Sequence, residues 1–328
     1  MSDQSTMPTL SPKAKATQGV QHLQIDEEFA GQRVDNFLLR TLKGVPKSRI
    51  YRIIRKGEVR LNSKRVKPNS RLSAGDTLRI PPVRTSQNTE SRNYSLEQNI
   101  ENTIIYESNL LLIINKPAGI AVHGGSGISA GVIESLRQTR PEEKTLELVH
   151  RLDRGTSGCL MVSKKRAYLK LLQAELHRKN HLKKVYHVIT HGRWPARKQH
   201  VNAPISKNLL ASGERISKVE QGGKESLTQF RVLAYDGKLS LLEAIPVTGR
   251  THQIRVHCRH VGFPIVGDDK YGFDDADKVL MSRGNRRLML HAQRLQIPVL
   301  DGNPAIQIEA PADELFRKLS DEIMSNNS

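Results

Sequence analysis

Two cysteines in 328 residues, Cys159 and Cys258, are too few and too far apart for a disulfide framework or a zinc ribbon. Each stands alone in apolar surroundings and reads as a buried thiol in a reducing cytoplasm. Long apolar runs are also missing. No stretch reaches membrane-spanning length, so no membrane helix is expected. The first 20 residues, MSDQSTMPTLSPKAKATQGV, lack the apolar core of a signal peptide and read as a disordered tail. Aromatics are scarce at 4% beside 37% hydrophobic residues, a composition suited to a soluble globular chain with a polar surplus. No internal repeat is present. Acids are in the minority, 33 against 52 Lys and Arg, for a formal net charge of +19.

That charge is concentrated. Between Arg33 and Arg84 there are 15 Lys and Arg against three acids, Asp35, Glu58 and Asp76, a net of +12. A solvated surface explains a mild excess. A field this dense suits a polyphosphate partner, and nucleic acid is the natural candidate. The same segment has a compact pattern. Val34, Phe37, Leu38 and Leu42 follow helical spacing, and Gly44 stops that helix. Pro46 opens a second helix with an Ile50, Ile53, Ile54 stripe, ended by Gly57. Lys47, Arg52, Arg55 and Lys56 lie largely off the stripe. EVRLNSKRV alternates around Asn62-Ser63 as a hairpin carrying Lys64 and Arg65, and DTLRI closes the unit as a strand. A polar stretch follows at 85–99 and reads as a linker. The domain reading is a tail at 1–20, a basic unit at 32–84, the linker at 85–99 and a larger domain at 100–322.

From Ile104 onward strands outweigh helices and come in runs. IIYESNLLLIINK reads as a hairpin and GCLMVS as a buried strand. KVYHVITHG, TQFRVLAYD and LSLLEAIPV read as strands. SAGVIESLRQT and RAYLKLLQAELHRK read as helices, the latter with Tyr168, Leu171, Leu172 and Leu176 on one face. THQIRVHCRHVG turns into a short helix ending at Gly262. This is an α+β pattern with a large mixed, mainly antiparallel sheet rather than a doubly wound one.

Several familiar chemistries do not fit. GTSG around Ser157 is not a nucleophile elbow. GGSG at 124–127 lacks the Walker lysine. His177 and His181 are four apart but have no catalytic glutamate between them, and the other histidines lack ligand spacing. Three polar stretches remain inside apolar surroundings: HRLDRGTSG, KKVYHV and TGRTHQIRVH. In the first, one acid, Asp153, sits between Arg151 and Arg154 just before a buried strand. On the residues alone, a surface ion pair, a turn former and a catalytic carboxylate all stay open for Asp153.

HRLDRGTSG resembles the motif that holds the catalytic aspartate of RluA-family pseudouridine synthases. NKPAGIAVHGG, KKVYHV and PVTGRTHQIRVHCRHVGFPIVGDDKYG match that family in the same order, over about residues 104–310. Residues 32–82 resemble the S4 RNA-binding domain. With HGGSGISAGVIESLR and LLASGERI, the whole is similar to family members that modify uridines of bacterial large-subunit (23S) ribosomal RNA. The resemblance implies isomerisation of a uridine to pseudouridine after base flipping. It implies no cofactor and no metal, a cytoplasmic and monomeric protein, and ribosomal RNA as partner. Asp153 maps onto the catalytic aspartate, which acts either as a nucleophile at C1′ or as a base at C2′. Arg255 maps onto its basic partner, with Arg250 as the alternative. Tyr186 maps onto the active-site tyrosine, while its residues alone read as a strand aromatic. Arg151 is placed to grip phosphate or fill the gap left by the base. His252 and Gln253 are placed to hold the loop or the RNA, and Leu290 to wall the uracil pocket. Gly155 departs from the family, where a larger, often acidic residue is usual. A non-catalytic RNA-binding factor and a synthase acting on transfer RNA are the competing readings.

Overall fold

The computed structural model describes residues 19–42, 45–83, 100–124, 131–178, 182–209, 215–272, 277 and 287–327. Gly44, the 85–99 stretch, His181, most of GGSGISA and most of LLASGERI lie outside them. The chain divides between Asn93 and Tyr94 into two units, each with its own apolar core.

The first unit runs β1 (Gln21–Gln24), α1 (Val34–Thr41), α2 (Lys47–Arg55), β2 (Arg60–Leu61), β3 (Lys64–Arg65) and β4 (Thr77–Ile80). Its four strands form a sheet in the order β1-β4-β2-β3. The sequence reading missed β1, which pairs along all of β4, from Gln21 opposite Ile80 to Gln24 opposite Thr77. QHLQ has a single apolar residue, too weak an alternation to read; the edge of β4 makes it a strand. Helix α2 buries Ile50, Ile53 and Ile54 and thereby turns Lys47, Arg49, Arg52, Arg55 and Lys56 outward. The β2–β3 turn places Asn62 and Ser63 at φ 48° and 65°, the left-handed pair that matches strand twist in a tight hairpin. Lys64 and Arg65 are exposed just beyond it. Asp35, one of the three acids between Arg33 and Arg84, is buried. It accepts hydrogen bonds from Arg33 Nη2 (2.5 Å) and Tyr51 Oη (3.0 Å), tying α1 to α2. Its charge is used internally and barely offsets the outer basic field.

The second unit opens with the hairpin β5 (Ile104–Glu107) and β6 (Leu111–Lys116), then α3 (Val132–Thr139), β7 (Glu147–Leu148) and β8 (Ser157–Ser163). Next come α4 (Arg166–His177), β9 (Lys183–His191), β10 (His200–Asn202), β11 (Ile205–Leu209), β12 (Arg215–Val219), β13 (Leu227–Tyr235) and β14 (Leu239–Pro246). The unit ends with α5 (Gln253–Val261), β15 (Leu290–Ile297), β16 (Ile306–Glu309) and α6 (Glu314–Ser325). Ten strands form one sheet, ordered β10-β13-β14-β9-β15-β8-β6-β5, with β16 on β15 and β7 on β8. Among the described strands only β8 and β15 run parallel, so the sheet is mixed and mainly antiparallel, as the strand runs predict.

Strand β8 is central, and all seven of its residues are buried. Helix α4 packs Tyr168, Leu169 and Leu172 inward; Leu171 and Leu176 from the expected face are only half-buried. Gly158, in the TSG turn, has φ 101°, and a Cβ there would lie 2.3 Å from the Ala292 carbonyl oxygen. Only glycine lets β15 approach β8 this closely. That approach brings Leu290 alongside the loop that precedes β8.

Candidate active site

Residues 149–156 link β7 to β8 and form a pinned turn. Thr156 N–H donates to Asp153 O (3.1 Å), and Gly119 N–H donates to Arg154 O (2.8 Å). Arg154 Nε returns a bond to Gly119 O (2.9 Å). Beneath lies Lys116, fully buried, donating to Pro117 O (2.8 Å), Ile120 O (2.8 Å) and Arg154 O (3.3 Å). The NKPAG turn is therefore a platform for the loop that carries Asp153. Burial, then the charge of Arg287, pushes the Lys116 pKa down to about 7, while Asp153 pulls it up. His150 accepts from Met161 N–H at 3.3 Å, and burial lowers its pKa to about 3, so it anchors the loop as a neutral ring. At Gly155 an added Cβ would lie 3.1 Å from Leu288 Cβ. Here Leu288 occupies the space that a larger residue at 155 would need.

The second half of the site comes from α5. Arg255 projects from its buried face and is held by Asp268 through two bonds, Nε to Oδ2 (2.8 Å) and Nη2 to Oδ1 (2.6 Å). Nη2 also reaches Asp269 Oδ1 at 2.9 Å, and Nη1 reaches Asp153 Oδ2 at 3.3 Å. Tyr271 lies under the guanidinium, 5.1 Å from ring centroid to Cζ. Burial alone would lower the Arg255 pKa. The hydrogen bond and charge of Asp268, with the charges of Asp153 and Asp269, more than offset it, and the pKa lies above the ordinary guanidinium value. Asp268 thus fixes the arginine, and the longer contact leaves the Asp153 carboxylate less tightly held.

His252 precedes α5 at φ 55°, a left-handed conformation uncommon for a residue with a side chain. Its Nδ1 lies 2.8 Å from Tyr271 Oη, and that oxygen already accepts from Ser217 N–H at 3.0 Å. The tyrosine proton is free to go to Nδ1, which leaves the His252 proton on Nε2, 3.8 Å from Asp153 Oδ1. Burial lowers the His252 pKa, and Asp153 raises it in part.

A cavity of about 340 Å3 opens in front of these groups. Its walls include all eight residues singled out in this unit: Arg151, Asp153, Tyr186, Arg250, His252, Gln253, Arg255 and Leu290. Tyr186 and Leu290 are buried, on β9 and at the start of β15. Burial first, then the charge of Asp153, raises the Tyr186 pKa, so its hydroxyl is neutral. Between the two candidate partners of Asp153 the geometry selects Arg255, because Arg250 is exposed and its Nε donates to Glu225 O (3.0 Å). Gln253 is buried and bonds Thr248, Thr228, Leu227 O and Arg250 N–H, which makes it a loop clamp. Arg151 is exposed. Sequence reasoning missed Lys116, Asp268 and Tyr271, although NKPAG and GDDKYG had been marked as motifs. Among the described residues, no group of three or more His, Cys, Asp and Glu is placed to hold a metal ion. Lys47, Arg52, Arg55, Lys56, Lys64 and Arg65 all belong to the first unit.

Comparison with known proteins places the chain in a family. Residues 110–260 match the RNA pseudouridylate synthase family and residues 32–78 the S4 domain. Over 301 residues the chain is 48% identical to "Ribosomal large subunit pseudouridine synthase C" of Yersinia pestis, covering 91% of this chain and 94% of that protein. The protein of the same name from Escherichia coli (strain K12) is 49% identical over 307 residues, 92% and 96% of the two chains. Among solved structures, "Human RNA Pseudouridylate Synthase Domain Containing 1" is 27% identical with a TM-score of 0.50, covering 69% of this chain and 96% of its own. "Human RNA Pseudouridylate Synthase Domain Containing 4", 24% identical with a TM-score of 0.55 over 70% of this chain and 96% of its own, shares the fold. The chain belongs to the RNA pseudouridylate synthase family, whose members isomerise uridine to pseudouridine within RNA.

Proposed function

We propose that this enzyme converts specific uridines of large-subunit ribosomal RNA to pseudouridine, with Asp153 as the reacting carboxylate. The observation that carries the reading is Asp153 on a pinned turn in a strongly basic cavity, opposite an arginine that Asp268 holds in place. The relatives' names and the N-terminal S4 match favour ribosomal RNA over transfer RNA. Residues 32–84 deliver RNA through Lys47, Arg52, Arg55, Lys56, Lys64 and Arg65. Residues 100–322 carry out the chemistry, in the cytoplasm where ribosomes are made.

The target uracil leaves its stack and enters the cavity. Asp153 then either bonds to C1′ as N1 departs, or removes the C2′ proton. Arg255 orients the carboxylate, and the His252 Nε2–H faces its other oxygen. After the base turns and C5 bonds to C1′, the proton on C5 must leave. Tyr186 is held neutral, so it accepts that proton only while passing its own hydroxyl proton to solvent; N1, left with the electron pair of the broken bond, takes up one proton from solvent, and the tyrosine ring stacks on the uracil meanwhile. Leu290 walls the pocket, and Arg151 meets the RNA where the base has left.

The test is pseudouridine mapping of in vitro transcribed 23S ribosomal RNA and of a transfer RNA pool after incubation with the full chain. New pseudouridine in the ribosomal RNA that vanishes with Asp153→Asn supports the reading. Modification of the transfer RNA alone would assign a different substrate.

A further inference from the structure

We propose that a second cavity beside the first holds the nucleotide adjoining the target uridine, and that the RNA strand passes between the two over Gly249. The proposal rests on the RNA synthase reading above. The second cavity, about 370 Å3, lies between the β11–β12 hairpin, the turn at Gly222-Gly223 and the loop that joins β14 to α5. Gly249, Arg250 and Thr251 border both cavities, so that loop is the seam between them. Among the described residues that line the second cavity none is acidic, while Lys207, Lys224 and Arg250 are all exposed on its walls. Such a wall suits a polyanion, and the volume admits a nucleobase.

Gly249 carries the argument furthest. A fold requires glycine for left-handed backbone, for close packing or for a hinge. Gly158 and Gly267 show the first two reasons, with φ 101° and 71° and an added Cβ only 2.3 and 2.1 Å from carbonyl oxygens. Gly249 shows neither: its φ lies outside the left-handed region, and an added Cβ meets no heavy atom of the described residues within 4 Å. Nor is its loop a hinge. Thr248 Oγ1 accepts from Leu227 N–H (3.1 Å) and donates to Gln253 Oε1 (2.7 Å). Arg250 N–H donates to the same Oε1 at 3.0 Å, and Arg250 Nε donates to Glu225 O at 3.0 Å. The loop is clamped on both sides of a bare, exposed glycine. The remaining reason lies outside the chain, in a ligand that comes within side-chain distance of the Gly249 backbone. A strand running from one cavity to the other crosses there.

The test uses the full chain and a 23S ribosomal RNA fragment carrying one target uridine. Gly249→Ala adds a methyl that nothing in the protein opposes, so its melting temperature should stay within roughly 2 °C of wild type. Its Kd and KM for the RNA should rise on the order of tenfold, because a close RNA contact is overpacked. Lys207→Ala and Lys224→Ala should each lower the slope of log affinity against log salt by about one. Abasic nucleotides placed in turn on either side of the target should identify the occupant. One of the two should weaken wild type to the level of Gly249→Ala and weaken Gly249→Ala no further. The proposal is overturned if Gly249→Ala and both lysine variants bind as wild type does. It is equally overturned if both abasic RNAs weaken wild type and Gly249→Ala alike. Absence of pseudouridine from wild type on intact RNA would instead remove the synthase reading itself.

Discussion

Arg255→Lys keeps a positive charge beside Asp153 and removes the planar fork. The guanidinium spans two acids at once, with Nε and Nη2 on Asp268 and Nη1 on Asp153. A single ammonium on a shorter reach cannot do both. Two buried charge-assisted bonds to Asp268 are lost and about one is regained, a net loss of about 1.5–3 kcal/mol, the value of one bond to a charged group. The second unit runs from Tyr94 to Ser328. For a unit of that size each kcal/mol shifts the midpoint by about 2–4 °C, so its melting temperature should fall by about 3–12 °C. The Asp153 carboxylate also loses its orienting partner, and misplacement of the order of 1 Å slows chemistry about 100-fold. Scanning calorimetry on the full chain reads the first effect, and single-turnover pseudouridine formation below the variant's melting range reads the second. A variant that melts within 2 °C of wild type and turns over within about twofold would refute the claim that Asp268 and Asp153 are bridged by one rigid group.

Asp153→Asn should abolish pseudouridine formation while RNA affinity stays within about twofold, since one carboxylate adds little to binding by many phosphate contacts; any substantial turnover sinks the catalytic role. Tyr186→Phe keeps the stacking ring and loses the hydroxyl, so turnover should drop sharply with affinity unchanged, and a full-speed variant leaves Tyr186 with stacking alone. Lys116 titrates near 7 in the folded chain against 10.5 for the free side chain. A base with a depressed folded pKa contributes stability above its unfolded pKa and loses it as pH falls toward the folded one. The stability difference between wild type and Lys116→Met should therefore shift in favour of wild type by about 2 kcal/mol from pH 7 to pH 9, read by urea melts; a shift of opposite sign contradicts the burial argument. Turnover should be indifferent to EDTA, and a loss would contradict a cofactor-free reaction.

What sequence could show follows from what is local. The Ile50, Ile53, Ile54 stripe, the Asn62-Ser63 turn and the wholly buried β8 are written in short-range spacing, and each forms as its spacing predicts. Strand β1 is not local: QHLQ has no strand pattern of its own and exists because β4 offers it an edge. The same holds in the site. Asp153, Arg255 and Tyr186 stand in motifs, but nothing in the string says that Nη1 rather than another group faces Asp153. That depends on Asp268, 13 residues beyond Arg255 and fully buried, whose carboxylate is oriented in turn by the N–H groups of Lys270 and Tyr271. A buried acid that never faces the cavity can be recognised only once its partner is seen.

Gly155 makes the same point from the opposite direction. As a departure from a familiar motif it suggests a looser catalytic turn. In the fold the turn is pinned by Thr156, Gly119, Arg154 and Lys116, none of which needs a side chain at 155. The missing volume is filled by Leu288, which an added Cβ would meet at 3.1 Å. The departure is therefore compensated two residues before Leu290, just ahead of the strand that walls the cavity. Restoring a larger side chain at 155 without shortening Leu288 should disturb that wall rather than tighten the loop.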